Sequence, residues 1–195
     1  SRPDGAKGPC LVVADTLEGL NALARAARAR CQAKVVAITG SVGKTSTKEA
    51  LLKALQPSGK VHASELSYNN LWGVPLSLAR MPEDTQYGVF EIGMNHPGEI
   101  IPLTAMVEPD VAIVTTVASV HLEFFKDETE IAEAKAEIFS GLKAGGIAII
   151  NRDSVHFDVL KTRTSEAGAG RIDGFGEHAE AETRRTRVKL HDTCT

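Results

Sequence analysis

The chain has 195 residues, 43% of them hydrophobic and 24% charged, and its 22 basic and 25 acidic side chains leave a formal net charge of -3. That composition belongs to a folded globular chain of one domain, or one domain with an appendage, and excludes a disordered or generally nucleic-acid-coating protein. Cys10, Cys31 and Cys194 stand far apart without CxxC spacing, and no apolar run approaches the length of a membrane span, so a cytoplasmic protein with no zinc site is expected.

Residues 1–9 are polar and rich in Gly and Pro, as in a linker, and CLVVAD at 10–15 reads as a short strand. Across 16–31, Leu17, Leu20, Leu23, Ala24, Ala27 and Cys31 recur at helical spacing, with Arg25, Arg28 and Arg30 on the other side, which predicts an amphipathic helix. A strand is expected at 34–39 and a helix at 44–55, closed by Pro57, Ser58 and Gly59. A short strand at 60–63 leads into the polar loop SELSYNN, and 71–81 reads as a helix that admits Pro75 in its first turn, where no hydrogen bond is lost. Strands follow at 87–92, 111–117 and 146–150, with helices at 97–107 and 128–142 between them. Beyond Asp153 the pattern weakens; SEAGAGR reads as a loop, and RIDGFG and RVKL (187–190) admit short strands. Strand then helix, about five times over, predicts an α/β fold with a mostly parallel sheet and helices on both faces.

The most informative stretch is VVAITGSVGKTSTKEA at 35–50, which reads as strand, phosphate loop and helix. Gly40 and Gly43 remove side chains where backbone N–H groups must converge on phosphate oxygens, and the following helix N-terminus adds its partial positive charge. Lys44 would reach the β- and γ-phosphates, and Thr45 offers a hydroxyl to Mg²⁺. The usual pattern has a further glycine where Ile38 stands, so GSVGKT is a short form of the loop.

In a parallel sheet, ligands bind at the carboxyl ends of the strands. Glu91 places a carboxylate near the end of the apolar run YGVFEIG, either as a metal ligand or as an edge-strand acid facing water. His121 follows the run VAIVTTVASV, as a functional or a structural histidine. Lys135 falls on the apolar face set by Ile131, Ile138, Phe139 and Leu142, where a snorkelling stem is the plainer reading. Asn151 directly follows a strand and can pair with a base edge or cap the next helix; Asn69 and Asn70 in SYNNLWGVPL offer amides to an anionic or sugar-bearing substrate, or serve as turn residues.

Taken as a set, ITGSVGKTSTKE, SYNNLWGVPLSL, FEIGMNHPGEI and AEAKAEIF resemble the motifs of the Mur ligase family. The resemblance implies the central, P-loop NTPase-like domain of an ATP-driven amide ligase that works through an acyl phosphate. Its substrates would be UDP-N-acetylmuramoyl-tripeptide and D-alanyl-D-alanine, its place the making of peptidoglycan precursors, and its state monomeric. By similarity, Gly40, Ser41, Val42, Gly43, Lys44, Thr45 and Ser46 form the ATP loop, and Asn151 meets the adenine. Thr45 and Glu91 would hold one Mg²⁺ and His121 would help to hold a second. Lys135 matches a lysine that several members carbamylate, and Asn69 with Asn70 matches the substrate-side pair.

The resemblance also sets an expected extent: 1–33 as a linker and the remnant of an N-terminal domain, 34–195 as the central ATP-binding domain, and the family's UDP-sugar and C-terminal domains largely absent. A chain of that extent should bind nucleotide but ligate little. Folylpolyglutamate synthase is a neighbouring alternative, against which NNLWGVPL and GMNHPGEI argue; a non-catalytic nucleotide-binding module is another.

Overall fold

KVVAIT, Lys34–Thr39, forms β1, an interior strand of the sheet. The computed structural model describes residues 8–119 and 124–186. Within them the chain runs α1 (Thr16–Arg30), β1, α2 (Lys44–Leu55), β2 (Val61–Ala63), α3 (Gly73–Ala79), β3 (Tyr87–Glu91), α4 (Ile100–Val107), β4 (Val111–Val114), α5 (Glu128–Ala136), β5 (Ile147–Asn151), α6 (Phe157–Glu166), β6 (Arg171–Gly176) and β7 (Thr183–Arg184). The seven strands lie in the order β2-β3-β1-β4-β5-β6-β7, and every pairing is parallel. β1 is flanked by β3 and β4, so the chain leaves it toward both sides of the sheet, which opens a crevice at the strand C-termini.

Alternation along β1 sends side chains into two cores. Val35 and Ala37 join the larger one, with Leu78 and Phe90, beneath α1, α3, α4, α5 and α6. Ile38 faces the other way with Val89 and Ile113, where Leu51 and Leu55 of α2 cover them. Helix α1 is capped by Asp15, whose carboxylate accepts from Glu18 N at 2.8 Å, and it carries Arg28 and Arg30 in its last turn. Among the described residues, no helix is long and apolar enough to cross a membrane.

The structure corrects several expected boundaries. Residues 10–13 form no strand; Leu11 and Val12 are 74% and 73% exposed, no strand among the described residues pairs with them, and Asp15 serves as a helix cap instead. The helix expected from 97 starts at Ile100, because Gly98 adopts φ +86 and donates its N–H to Glu137 Oε1 at 2.7 Å. The strand expected to 117 ends at Val114, where Thr115 and Thr116 turn toward the loop after β1. The helix expected over 128–142 tightens to 3₁₀ geometry at Glu137–Gly141. Helix α6 was not expected: its buried face consists of Phe157, Leu160 and Thr164, too thin a stripe to stand out as a pattern. RIDGFG is β6, whereas 187–190 lie outside the described residues.

Arg28 fastens α1 to the body of the fold. It is 5% exposed, and its guanidinium donates to Val107 O (2.8 Å), Cys31 O (3.0 Å) and Glu108 O (3.1 Å), gathering the C-terminal ends of α1 and α4. Replacing it with Met keeps the stem but leaves buried carbonyls without a donor. Arg28→Met should therefore cost about 3 kcal/mol, read as a lower denaturant midpoint at unchanged slope.

Candidate active site

The loop between β1 and α2 is held from the neighbouring strand. Ser41 N donates to Thr116 O at 2.7 Å, Ser41 Oγ bonds Ala118 O at 3.0 Å, and Thr115 Oγ1 donates to Val42 O at 2.6 Å. Gly40 has φ +150, and a Cβ there would overlap Thr115 Oγ1; Gly43 is left-handed at φ +85. Both positions need glycine. Gly43 also stands at the N-cap of α2 with no side-chain cap, and no acid occupies the first turn, so the leading N–H groups of the helix remain available to an anion. Lys44 Nζ donates to Gly40 O at 2.7 Å, which folds the side chain back over the loop.

Glu91, at the C-terminal end of β3, is 1% exposed and lies on an interior strand, so the edge-strand reading is excluded. Its Oε2 accepts from Thr45 Oγ1 at 2.9 Å and its Oε1 from Asn69 Nδ2 at 2.7 Å. One buried carboxylate thus joins the first turn of α2 to the loop after β2. Gly93 donates its N–H to Asn69 O at 2.7 Å, and a Cβ on Gly93 would press on the Asn69 carboxamide. Asn70 caps the next turn, its Oδ1 accepting from Trp72 N and Gly73 N.

Gly40, Ser41, Lys44, Asn69, Asn70 and Gly93 line a cavity of about 300 Å³ that also takes in Trp72, Asn95, Glu99 and Lys135. Lys135 is 3% exposed on α5, with Ile131 buried one turn before it. Burial, and then the nearby positive charge of Lys44, bring its pKa from the usual 10.5 down to about 8. Burial also lowers the Lys44 pKa, partly opposed by the Glu91 carboxylate. A second cavity of about 410 Å³ lies on the other side of the phosphate loop, lined by Val42, Gly43, Ile113, Ile149, Asn151 and Phe175 among others. Asn151 turns the chain there: its Nδ2 donates to Thr115 O at 3.2 Å and its Oδ1 accepts from Asp153 N at 2.9 Å.

Of the residues singled out from sequence, the fold brings Gly40, Ser41, Lys44, Asn69, Asn70 and Lys135 to one cavity, with Thr45 and Glu91 hydrogen-bonded beside them. Val42, Gly43 and Asn151 meet at the second cavity, Ser46 is exposed in the first turn of α2, and His121 lies outside the described residues. Sequence reasoning missed Thr115, Glu99 and Trp72. Thr115 sits in an apolar run that gives no sign of its hold on the loop. Glu99 accepts from Asn95 N at 2.7 Å and pairs with His96 at 3.0 Å, a local N-x-x-x-E arrangement that could have been noticed.

Residues 38–195 match the Mur ligase middle domain. The UDP-N-acetylmuramoyl-tripeptide–D-alanyl-D-alanine ligase of Escherichia coli is 42% identical over 193 residues, covering 99% of this chain and 42% of that one. A crystal structure of MurF from Acinetobacter baumannii superposes with a TM-score of 0.85 at 32% identity, covering 97% of this chain and 40% of that one. MurF from Thermotoga maritima, solved in complex with ADP, gives 0.76 at 32% identity, with coverages of 87% and 38%. E. coli FolC, at 17% identity and a TM-score of 0.64 with coverages of 88% and 49%, shares the fold. The chain spans about two fifths of the length of the curated relative.

The paired lysines make a direct electrostatic prediction. Nζ-detected NMR should show Lys135 titrating near pH 8, and Lys44→Met should raise that midpoint, since removing a neighbouring positive charge favours the protonated amine.

Proposed function

This chain belongs to the Mur ligase family, and we propose that it is the ATP-binding part of a ligase that joins D-alanyl-D-alanine to UDP-N-acetylmuramoyl-tripeptide. The observation that carries the reading is the hydrogen-bonded series Thr45–Glu91–Asn69, which ties the phosphate loop to the Asn69–Asn70 wall across one cavity. In this reading 34–195 are the central ATP-binding domain, and 1–33 lead into it from the UDP-sugar side, anchored through Arg28. The enzyme works as a cytoplasmic monomer.

A carboxylate is a poor electrophile until one of its oxygens becomes a phosphate leaving group. The loop N–H groups and Lys44 hold the ATP phosphates, and Lys44 exchanges its bond to Gly40 O for a phosphate oxygen. Asn69 and Asn70 present the tripeptide's terminal carboxylate, whose oxygen takes the γ-phosphoryl group from ATP as ADP leaves; the dipeptide amine then attacks the acyl carbon, losing a proton, and inorganic phosphate departs. Thr45 Oγ1 and the Glu91 carboxylate are hard oxygen donors and fit Mg²⁺, which supplies charge neutralisation at the phosphates when bound. Asn151 and the apolar wall of the second cavity suit the adenine.

Lys135 does not fit a cation as an ammonium. With a pKa of about 8, roughly a tenth of it is neutral amine at pH 7, enough to attack CO₂; the proton leaves and a carbamate remains. That group is an anionic oxygen donor, and with His121 it would serve a second Mg²⁺. A nucleotide-binding module without ligase chemistry gives no use to a buried lysine beside Lys44, and this observation disfavours it.

Titrating a non-hydrolysable ATP analogue into the chain by calorimetry should show Mg²⁺-dependent binding. Lys44→Ala should weaken it by about 100-fold, and Glu91→Gln should remove most of the Mg²⁺ dependence while leaving metal-free binding within about threefold. Binding indifferent to both substitutions would overturn the assignment of the phosphate site.

A further inference from the structure

Lys48 lies one turn beyond Lys44 on α2, and it is among the largest fully buried side chains, at 1% exposure. Its ammonium does not face the phosphate loop. Nζ donates to Ser64 O at 2.9 Å and to Leu66 O at 2.6 Å, and lies 3.1 Å from Glu49 Oε1. Both carbonyls belong to the loop after β2, where Leu66 holds a left-handed backbone at φ +49, unusual for a leucine. Burying an ammonium is costly without acceptors, and two of its acceptors are main-chain groups of a segment with no regular secondary structure.

That segment continues directly into Asn69, Asn70, Leu71 and Trp72, which line the cavity. It is attached at one end by Ser64 N to Val89 O (3.1 Å) and at the other by Asn69 to Glu91 and Gly93. Between those ends, the bond of Leu66 O to Lys48 is its fixed point on α2. The same helix therefore carries the phosphate-binding lysine at its start and, one turn later, a lysine that fixes the facing wall.

We propose that Lys48 is a positioning residue, which sets the 64–72 wall against the phosphate loop so that the carboxylate substrate meets the nucleotide in register. The proposal rests on the reading of that wall as the substrate side. Lys48 touches neither reactant; it acts through Asn69 and Asn70. Its loss should loosen the wall and weaken the carboxylate substrate while leaving nucleotide binding largely intact.

Trp72 is the one tryptophan of the chain and sits at the end of the wall, half-exposed, so its fluorescence reports the wall directly. In Lys48→Met, acrylamide quenching of Trp72 should rise by about twofold while affinity for the ATP analogue stays within about twofold, with Lys48→Arg between Met and wild type. In the full-length ligase carrying this chain, Lys48→Met should raise KM for the UDP-linked substrate by about tenfold and KM for ATP by less than about twofold. Unchanged quenching in a folded Lys48→Met protein would overturn the proposal, as would equal losses for both substrates. If Lys48→Met does not fold, Lys48→Gln is measured in its place, and failure of both to fold would make Lys48 a core residue and overturn the positioning role. Asn69→Ala tests the underlying reading separately: an unchanged KM for the UDP-linked substrate would remove the wall's assigned function even where the quenching result holds.

Discussion

The geometry of the cavity depends on one buried carboxylate. Glu91 is the last residue of β3, and at 1% exposure it would cost several kcal/mol if left without partners. Thr45 and Asn69 occupy its two oxygens, and they come from segments that precede it by 46 and 22 residues. Because β3 is hydrogen-bonded on both sides, to β1 and β2, the backbone of Glu91 is fixed, and Thr45 and Asn69 hold its carboxylate in place. It is a fixed post, and the phosphate loop and the loop after β2 are both measured from it.

The phosphate loop is fixed from the other side by the segment that follows β4. Thr115 is the clearest instance: its hydroxyl holds Val42 O, and its position forbids a side chain at Gly40. The loop is thus held from both sides of β1, while its two unusual backbone conformations fall on Gly40 and Gly43, which adopt them without strain.

Much of this was legible in the sequence, for identifiable reasons. β1 and α2 fell where predicted, to the residue, because β-branched alternation, two glycines and a helical run each point to the same boundaries. The parallel α/β order followed from periodicity, and the loop residues from their spacing. What could not be read was contact between distant segments: that Thr115 braces Gly40, that Asn69 reaches Glu91, or that Asn151 spends its amide on Thr115 and Asp153. α6 escaped because its buried face is thin, and the expected strand at 10–15 failed because β-propensity without a partner edge does not make a strand.

Three lysines, Lys44, Lys48 and Lys135, show how surroundings rather than residue type assign a role. Lys44 keeps the Gly40 carbonyl within reach and Glu91 near enough to favour its charge. Lys135 is more enclosed than Lys44; no hydrogen-bond acceptor is found for its amine among the described residues and it faces another lysine, and burial with that neighbouring charge brings its pKa down to about 8. Lys48 is more deeply buried still, yet two carbonyls and Glu49 surround its ammonium, which turns a costly charge into a fastening. The sequence rule that drew attention to Lys135, a lysine on the apolar face of a helix, applies equally to Lys48, which shares a face of α2 with Leu51, Leu52 and Leu55. That rule identifies lysines that must find an answer to burial. Whether the answer is chemical reactivity or structural anchorage is decided by the acceptors that the rest of the fold brings to them.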